Sequence, residues 1–384
     1  MHPQTRLAHG GGPDPATGAV TPPVHVSTTF ARDAEGQLRG AHQYARTGNP
    51  TRERFEQALA DLEAGAGEGH GLGCAAFASG MAATNTLFQS LEDGAHIVLA
   101  DDVYYGTRAL LEEVFARWGL TFTEADLAAG PSALRRALRP ETRLVWAETP
   151  SNPLLEITDL RATAEATHEA GALLVADATW TTPLVQRPLS LGADAVVHSA
   201  TKYLGGHSDL LGGAVVASAE SALFEQVRAV QQKAGAVLGA RDAWTALRGM
   251  RTLAARLRLQ QQNAERVADF LSGHAAVEQV HFPGLPGHPG HATAQEQMDG
   301  FGAMCSFEVA ADTDSQAFER AKAVAGGCAV FVQATSLGGT ESLIEHRAPV
   351  EPEGTAAPPG LVRLSLGLEH PDDLVADLDQ ALAT

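Results

Sequence analysis

Charged residues and cysteines are both scarce in this sequence, and each shortage narrows what the protein can be. Charged residues make up 19% of the 384 residues, below the usual level of about a quarter, which is typical of a chain that buries much of its surface. The cysteines Cys74, Cys305 and Cys328 are odd in number and widely spaced, so they predict neither a disulfide framework nor a zinc site. Buried free thiols are expected instead, because unpaired cysteine behaves as a small apolar residue.

Long apolar segments and metal-ligand patterns are also missing. No run of about 18 apolar residues occurs, and Met1–Arg6 is not followed by a signal-like apolar stretch, so a soluble cytoplasmic protein is expected. The net charge of −19 would repel nucleic acid and anionic membranes, so neither is an expected partner. Three histidines of a Gly/Pro-rich loop lack paired carboxylates, and no metal site is predicted at His281, His288 and His291.

The length and a hydrophobic content of 44% favour two domains, each with its own core. The first fifty residues are rich in Gly, Pro, Thr and His and lack periodicity, which predicts an irregular arm (1–50). A helix is expected to begin near Asn49–Thr51 and to end at Gly65. The predicted large domain is 51–238, and the small C-terminal domain is 239–384, opening with one long helical pattern from Arg241 to Leu271.

From about residue 74, short apolar runs alternate with helical stretches. This alternation predicts an α/β fold with a mostly parallel sheet, in which ligands bind at the carboxyl ends of the strands. The predicted strands are His96–Ala100, Arg143–Glu148, Leu173–Asp177, Ala195–Ala200, Gly213–Ala217, Met304–Val309 and Val362–Leu366. The predicted helices are Met81–Leu91, Thr107–Trp118, Ser132–Leu138 and Leu160–Ala170.

Two successive predicted strands end in groups that suit one cofactor. The first ends in Asp177, and the second leads into Ser199, Thr201 and Lys202. Alone, such an aspartate is usually a cap and such a lysine is usually solvated. Together they offer an amine that can form a Schiff base with pyridoxal 5′-phosphate (PLP) and a carboxylate that can pair with its pyridinium nitrogen. The two hydroxyls are candidates for binding its phosphate, so the sequence predicts a PLP site.

Three further positions are candidates for contacts with PLP. Gly80 precedes a predicted helix, whose first N–H groups and positive dipole end favour a phosphate. Tyr104 follows another predicted strand and is a candidate to stack on the pyridine ring. Arg46, in the arm, is a candidate to pair with a phosphate or a carboxylate.

Taken in order, these motifs resemble the Cys/Met-metabolism family of PLP-dependent enzymes over nearly the whole chain. The most specific of them is His198–Asp209, which reads HSATKYLGGHSD. The other matching segments are Tyr44–Thr51, Ser79–Ala83, Glu148–Pro153, Pro283–Leu285, Ser336–Gly339 and Val362–Ser365. The resemblance implies fold type I of the PLP-dependent transferases, which is aspartate-aminotransferase-like, with a mostly parallel seven-stranded sheet in the large domain and a smaller C-terminal α/β domain.

The resemblance also implies a role for each site residue. Lys202 would hold PLP and shuttle protons, Asp177 would pair with the pyridinium nitrogen, and Tyr104 would stack on the ring. The implied phosphate ligands within the subunit are Gly80, Met81, Ser199 and Thr201. The implied ligands of the substrate α-carboxylate are Arg363, Asn152 and Ser336.

In this family, residues matching Tyr44 and Arg46 reach the phosphate bound by a neighbouring subunit. The resemblance therefore implies a homotetramer built from two dimers with shared active sites. The implied catalytic residues are Lys202, Tyr104 and Tyr44.

The implied activity is transsulfuration of the cystathionine γ-synthase or γ-lyase type, by γ-replacement or γ-elimination. Cystathionine β-lyase and methionine γ-lyase are the alternatives, because Thr335 stands where many γ-enzymes have glutamate and His346–Pro349 replaces a common Met-Thr-His segment. A catalytically silent PLP-binding scaffold is a further alternative, although such a protein should lose the lysine or the aspartate. A nicotinamide-dependent enzyme is disfavoured, since its Gly-rich fingerprint is missing.

Overall fold

A computed structural model describes residues 1–65, 71–351 and 357–383. None of the helices within these ranges combines the length and hydropathy that a bilayer crossing requires. All three cysteines are free; Cys74 and Cys305 are buried as expected, whereas Cys328 is partly exposed. The chain forms two compact units, Met1–Glu92 with Asp194–Ala254, and Asp93–Ala193 with Ala255–Thr384. The domain boundaries expected after residues 50 and 238 stay predictions.

The expected seven-stranded sheet is present and mostly parallel, so the predicted α/β fold is confirmed. Its strands are β1 (Leu72–Phe77), β2 (His96–Ala100), β3 (Thr121–Ala125), β4 (Thr142–Glu148), β5 (Leu173–Asp177), β6 (Ala195–Ser199) and β7 (Gly213–Ser218). They lie in the order β1-β7-β6-β5-β4-β2-β3. Strands β3, β2, β4 and β5 pair in parallel, whereas β1 and β6 both run antiparallel to β7.

A second sheet has five strands and lies in the second unit. Its strands are β8 (Val277–His281), β9 (Met304–Val309), β10 (Val332–Gln333), β11 (Leu343–His346) and β12 (Leu361–Ser365). Their order is β10-β11-β12-β9-β8. The β11–β12, β12–β9 and β8–β9 pairs are antiparallel, and only β10–β11 is parallel.

Three helical predictions are corrected by the structure. The arm contains a short helix, the segment 107–118 is helical in three different forms, and the long pattern 241–271 is two helices. The first half of the chain has α1 (Pro3–Ala8), α2 (Pro50–Glu63), α3 (Gly80–Gln89), α4 (Tyr105–Ala109), α5 (Pro131–Ala137), α6 (Leu160–Glu169) and α7 (Thr182–Val185). The second half has α8 (Ala222–Ala234), α9 (Ala240–Met250), α10 (Leu253–Ser272), α11 (His291–Gln297), α12 (Asp314–Gly327) and α13 (Pro371–Leu382).

The physical causes of two of these corrections are local. Helix α4 passes into a π turn at Leu110–Val114 and then into a 3₁₀ turn at Phe115–Trp118. Between α9 and α10, the backbone N–H and the hydroxyl of Thr252 both donate to the Gly249 carbonyl, at 3.1 Å each. A hydroxyl that bonds a nearby carbonyl competes with the helical ladder, so the apolar period continues while the helix does not.

The first unit is organised around α2, which packs on β1 and α9. The Asn49 side chain caps α2 by accepting from the N–H groups of Thr51 and Arg52, at 2.9 and 3.1 Å. At the far end of α2, the buried Glu63 carboxylate is bonded to the ring nitrogen Nε2 of buried His198 on β6. The other polar atoms of this pair, Glu63 Oε2 and His198 Nδ1, have no hydrogen-bond partner among the described residues.

Two apolar cores lie among the described residues of the second unit. One is formed around β2, β4 and β5 by residues such as Val98, Val145 and Leu174, which are fully buried. The other lies against the five-stranded sheet and includes Phe307 and Leu364. Each such side chain stabilises the fold by about 1.5–3 kcal/mol, so the strand ends in this unit rest on a rigid base.

Candidate active site

Lys202 lies in the turn that follows β6, and backbone hydrogen bonds fix this turn on both sides. Its own N–H donates to Ser199 O at 3.1 Å, and its carbonyl accepts from Gly206 N–H at 2.7 Å. One residue earlier, the Thr201 hydroxyl accepts from Gly212 N–H at 3.0 Å. The position of the lysine is therefore set by main-chain geometry.

Two predicted phosphate ligands, Gly80 and Ser199, lie against each other. A Cβ atom placed on Gly80 would lie 2.9 Å from the Ser199 Cβ, so this close approach requires glycine. The neighbouring Ser79 caps α3 by accepting from Ala82 N–H at 3.0 Å. Gly80 and Met81 occupy the first turn of this ten-residue helix, where N–H groups have no intrahelical acceptor. Small side chains, hydroxyls and a helix N-terminus make a site suited to a phosphate.

The arm residues Tyr44 and Arg46 lie next to each other at the surface of the first unit. The Tyr44 side chain is 46% exposed, and the Arg46 guanidinium carbon lies 5.6 Å from the centre of its ring. Arg46 also donates to the carbonyl of Gln232 on α8. Their role at the phosphate of another subunit stays a prediction.

Tyr104 lies directly before α4, in the second unit, and its ring is fixed by small and polar neighbours. Its N–H donates to Glu148 Oε2 at 2.8 Å, and its ring centre lies 4.8 Å from that of Tyr105. A Cβ on Gly106 would lie 2.5 Å from Tyr104 Cε1, so glycine makes room for the ring. Burial, followed by a hydrogen bond with Tyr105, raises the pKa of Tyr104 to about 12, so its phenol remains protonated near neutral pH.

The adjacent parallel strands β4 and β5 both end in a carboxylate, Glu148 and Asp177, which are paired in register. Asp177 Oδ1 accepts from Thr179 N–H at 2.9 Å. Burial, with the nearby Asp177 as the next cause, raises the pKa of Glu148 well above its ordinary value, although the bond from Tyr104 N–H acts in the opposite direction. Asp177 is a predicted site residue, whereas Glu148 has no role predicted from the sequence. The signal was present, because two neighbouring parallel strands each end in an acidic residue.

The three residues expected to bind a substrate carboxylate lie together in the second unit. Arg363, on β12, donates to Asn152 Oδ1 at 3.0 Å and to the Ser336 carbonyl at 3.4 Å. It also donates to Glu345 Oε2 at 2.8 Å, because Glu345 on β11 is its antiparallel partner. Ser336 has φ 95°, a strained conformation that costs a non-glycine residue of order 1–3 kcal/mol and is found mainly at functional sites.

Sequence reasoning missed two further charged residues beside Arg363. Arg347 donates to Glu345 Oε2, the same oxygen that Arg363 uses, and to Glu351 Oε1. Both Arg347 and Glu351 belong to the turn after β11, where Glu351 N–H donates to Arg347 O at 3.1 Å. The sequence signal for Arg347 was the unusual segment His346–Pro349, which bears on the choice between the alternative activities, and Glu351 lies two residues beyond it.

The groups on each unit, considered separately, fit PLP. The first unit holds an amine on a fixed turn, together with a glycine–serine contact at a helix N-terminus that leaves room for a phosphate. The second unit holds a carboxylate at a strand end and a tyrosine ring on a glycine-lined turn. An amine that can form a Schiff base and a carboxylate that can pair with a pyridinium nitrogen are the groups that a PLP-dependent enzyme needs.

Comparison of the chain with known proteins also indicates a PLP-dependent enzyme. A profile of the Cys/Met metabolism PLP-dependent enzyme family matches residues 4–383, and the chain belongs to this family. It is 47% identical over 387 residues to cystathionine gamma-synthase of Mycobacterium bovis, with 99% of this chain and 96% of the relative covered. It is 42% identical over 393 residues to cystathionine gamma-lyase of Bacillus subtilis, with 100% and 99% covered.

A solved structure gives the same result for the fold. Cystathionine gamma synthase from Xanthomonas oryzae pv. oryzae, in complex with aminoacrylate and cysteine, has a TM-score of 0.90 and 41% identity, covering 100% of this chain and 98% of that one. The predictions of family, fold, PLP cofactor and a PLP-dependent enzyme of sulfur amino-acid metabolism are therefore confirmed.

Proposed function

We propose that this enzyme catalyses γ-replacement or γ-elimination on cystathionine-type amino acids, as a cystathionine γ-synthase or γ-lyase. The observation that carries the proposal is the identity of 47% with a cystathionine gamma-synthase over 99% of the chain, combined with the presence of both Lys202 and Asp177. PLP, when bound, supplies an electron sink that stabilises negative charge at the substrate Cα.

The proposed roles of the chain's own residues follow from their chemistry. Lys202 Nζ would hold the cofactor covalently and, once the substrate amine has taken its place, would take the Cα proton as a general base. For γ-chemistry the lysine would first give this proton to the bound cofactor, and the regenerated amine would then take a second proton, from Cβ, before the γ-substituent leaves. Asp177 holds a proton at the ring nitrogen, and Tyr104 keeps the ring plane oriented.

The proposed binding residues hold the two ionic ends of the ligands. Gly80, Met81, Ser199 and Thr201 bind the cofactor phosphate through N–H and hydroxyl donors. The guanidinium of Arg363 binds the substrate α-carboxylate through two parallel bonds, a geometry that lysine cannot reproduce. Asn152 and Ser336 border this site, which is supported by their contacts with Arg363.

The covalent link can be tested directly, because Lys202, Lys233 and Lys322 are the only lysines of the chain. The PLP-loaded enzyme is reduced with borohydride, digested and mapped by mass spectrometry. We expect the reduced cofactor on the peptide containing Lys202, while Lys233 and Lys322 serve as internal controls. An adduct on either control lysine, or none in saturated protein, would contradict the proposal.

The reaction type is tested by a product panel. O-acetyl- or O-succinylhomoserine is supplied with cysteine, and cystathionine, methionine and cysteine are each supplied alone. We expect cystathionine from the paired substrates, or 2-oxobutanoate from cystathionine. Pyruvate as the sole 2-oxo acid from cystathionine, formed together with homocysteine and ammonia, would instead support the second candidate, a β-lyase, which is favoured by Thr335 at the position where many γ-enzymes have glutamate.

We also propose a cytoplasmic homotetramer that is built from two dimers with shared active sites. The exposed Tyr44 and its neighbour Arg46 support sharing, because both offer groups suited to a phosphate on another subunit. The three free thiols support a reducing compartment. Sedimentation of the active enzyme tests the assembly, and an active monomer would contradict it.

A further inference from the structure

Four buried charged side chains of the second unit form one alternating series, Glu351–Arg347–Glu345–Arg363, called here the charge relay series. Arg347 binds Glu351 Oε1 through Nε at 3.1 Å and through a second guanidinium nitrogen. Both arginines donate to one and the same oxygen, Glu345 Oε2. Asn152 ends the series by accepting from Arg363 at 3.0 Å.

These charges are almost removed from solvent. The side chains of Arg347 and Arg363 are 3% and 5% exposed, and those of Glu345 and Glu351 are 12% and 5% exposed. Two positive and two negative groups balance one another. Screening by water is weak at such burial, so the addition or removal of one charge changes the potential at every other member.

The balance matters because Arg363 must interact with two carboxylates, Glu345 and that of a bound substrate. If Glu345 paired with Arg363 alone, it would neutralise the guanidinium and disfavour a second anion. Arg347 draws on the same Glu345 oxygen and so shares its negative charge. Glu351 opposes this effect, since its negative charge offsets part of the positive charge by which Arg347 acts on Glu345.

The electrostatic influence of the series extends to Tyr104, which follows β2. Arg347 favours the ionised form of the Tyr104 phenol, which lowers the pKa of Tyr104 against the larger effect of burial. Burial is likewise the main cause that lowers the pKa of Arg363, to about 10, followed by Arg347, whereas Glu345 and Glu351 act to raise it. Arg347 thus acts on groups that the proposed function places at the ring and at the substrate.

We propose that Arg347 is a positioning residue that shares Glu345 with Arg363 and thereby keeps Arg363 able to bind the substrate α-carboxylate, with Glu351 opposing it. The inference rests on the proposed function, in which Arg363 binds that carboxylate. It also gives a physical role to Arg347 within His346–Pro349, the segment that stands in place of a common Met-Thr-His segment.

The test compares two ligands that differ only in the carboxylate, L-norvaline and butylamine. Each is titrated into the PLP-loaded enzyme, and the absorbance of the bound cofactor reports the dissociation constant. The ratio of the butylamine dissociation constant to the norvaline dissociation constant measures how much the carboxylate contributes to binding. We expect Arg347→Gln to lower this ratio about 10-fold, as for the loss of one charged partner, and Glu351→Gln to raise it.

Three further variants make the result decisive. Arg136→Gln removes an exposed positive charge from α5 in the same unit and is expected to leave the ratio unchanged. Arg347→Lys keeps the charge and is expected to retain most of the ratio, which covers the case in which Arg347→Gln does not fold. Arg363→Lys is expected to lower the ratio strongly, because it removes the two-pronged donor.

The opposite signs separate electrostatics from structure. If Arg347 and Glu351 only held the turn in place, both glutamine variants would lower the ratio, and the inference would be overturned. It would also be overturned if neither variant changed the ratio while Arg363→Lys did, in which case the proposed function would stand. If Arg363→Lys had no effect, the assigned carboxylate site would be wrong and the inference would fail with it.

Discussion

The turn after β6 that holds Lys202, called here the lysine turn, and the charge relay series of the second unit are stabilised by different kinds of contact. Around Lys202 the contacts are main-chain hydrogen bonds, a glycine and small hydroxyl side chains. Around Arg363 they are buried guanidinium and carboxylate groups. A substitution that adds side-chain volume should disturb the lysine turn, whereas a substitution that changes charge should disturb the charge relay series. The two regions should therefore respond to different substitutions.

The largest effect is expected from the lysine turn. Lys202→Ala removes the proposed covalent ligand and proton carrier, so turnover should fall by at least about 10³-fold, within the range of lost acid–base catalysis. The melting temperature of the variant should stay close to that of the wild type, because the turn is held by backbone bonds. Lys233→Ala, at an exposed position of α8, is the control. Retained γ-elimination in Lys202→Ala would refute the assigned role.

The same region should be sensitive to one added methyl group. Gly80→Ala forces a contact of 2.9 Å with Ser199, and overpacking of this kind costs about 1–3 kcal/mol. We expect PLP affinity to fall about 10- to 100-fold in a titration of the apoenzyme. Gly326→Ala places its methyl group in open space on α12 and should leave the affinity unchanged. Equal affinities for both variants would argue against a phosphate site at Gly80.

At the Arg363 end of the charge relay series, a smaller effect is expected from Asn152→Ala. The substitution removes the amide that accepts from Arg363 at 3.0 Å, and a hydrogen bond to a charged group is worth about 1.5–3 kcal/mol at most. KM should rise about 10-fold with little change in kcat. A fall in kcat at constant KM would place Asn152 in the chemical step instead.

The smallest expected effect is a pH dependence of stability from Glu148. Its pKa is raised in the folded protein, so the folded state retains a proton that the unfolded state releases. This contribution is complete below the ordinary glutamate pKa and is lost as the pH rises through the folded value. Relative to Glu148→Gln, the melting temperature of the wild type should therefore fall as the pH is raised, which can be measured from about pH 5 to about pH 8.

The exposed Glu165 on α6 provides the matched control, because Glu165→Gln changes charge without changing a buried group. The melting temperature of this variant should follow that of the wild type at every pH. A difference between wild type and Glu148→Gln that stays constant with pH would mean that Glu148 does not titrate in this range.

Local sequence signals were sufficient for β2, β4, β5, β6 and β7 of the larger sheet and for the lysine turn, whereas the buried strands β1 and β11 were not predicted. Strands β2 and β5 have the predicted bounds, because a continuous apolar run next to a polar residue leaves little choice, and β9 has them although Ser306 and Glu308 interrupt its apolar run. The apolar period predicted one continuous helix across Thr252, which was wrong. The Thr252 hydroxyl competes with the backbone hydrogen bonds of the helix, although the apolar spacing continues. Strand β3, which is partly exposed, was missed since it lacks a strong apolar run.

The charge relay series was beyond local reasoning for a different reason. Glu345 meets Arg363 through the register of two antiparallel strands, and Arg347 meets Glu351 through a turn. The first pairing depends on which strands become neighbours, and the second depends on the conformation of the turn after β11, so neither can be read from spacing alone. By contrast, Lys202 and Ser199 lie three positions apart and could be recognised together.

The buried contact between Glu63 and His198 has a consequence for how sequences of this kind diverge. A change at only one of the two positions would leave a polar atom inside the protein without its partner, which costs about 1–3 kcal/mol. Replacement of both by apolar residues of similar volume would be nearly neutral. Positions 63 and 198, far apart in the chain, should therefore covary across evolution, and a mutational path between two accepted pairs should pass through a less stable intermediate.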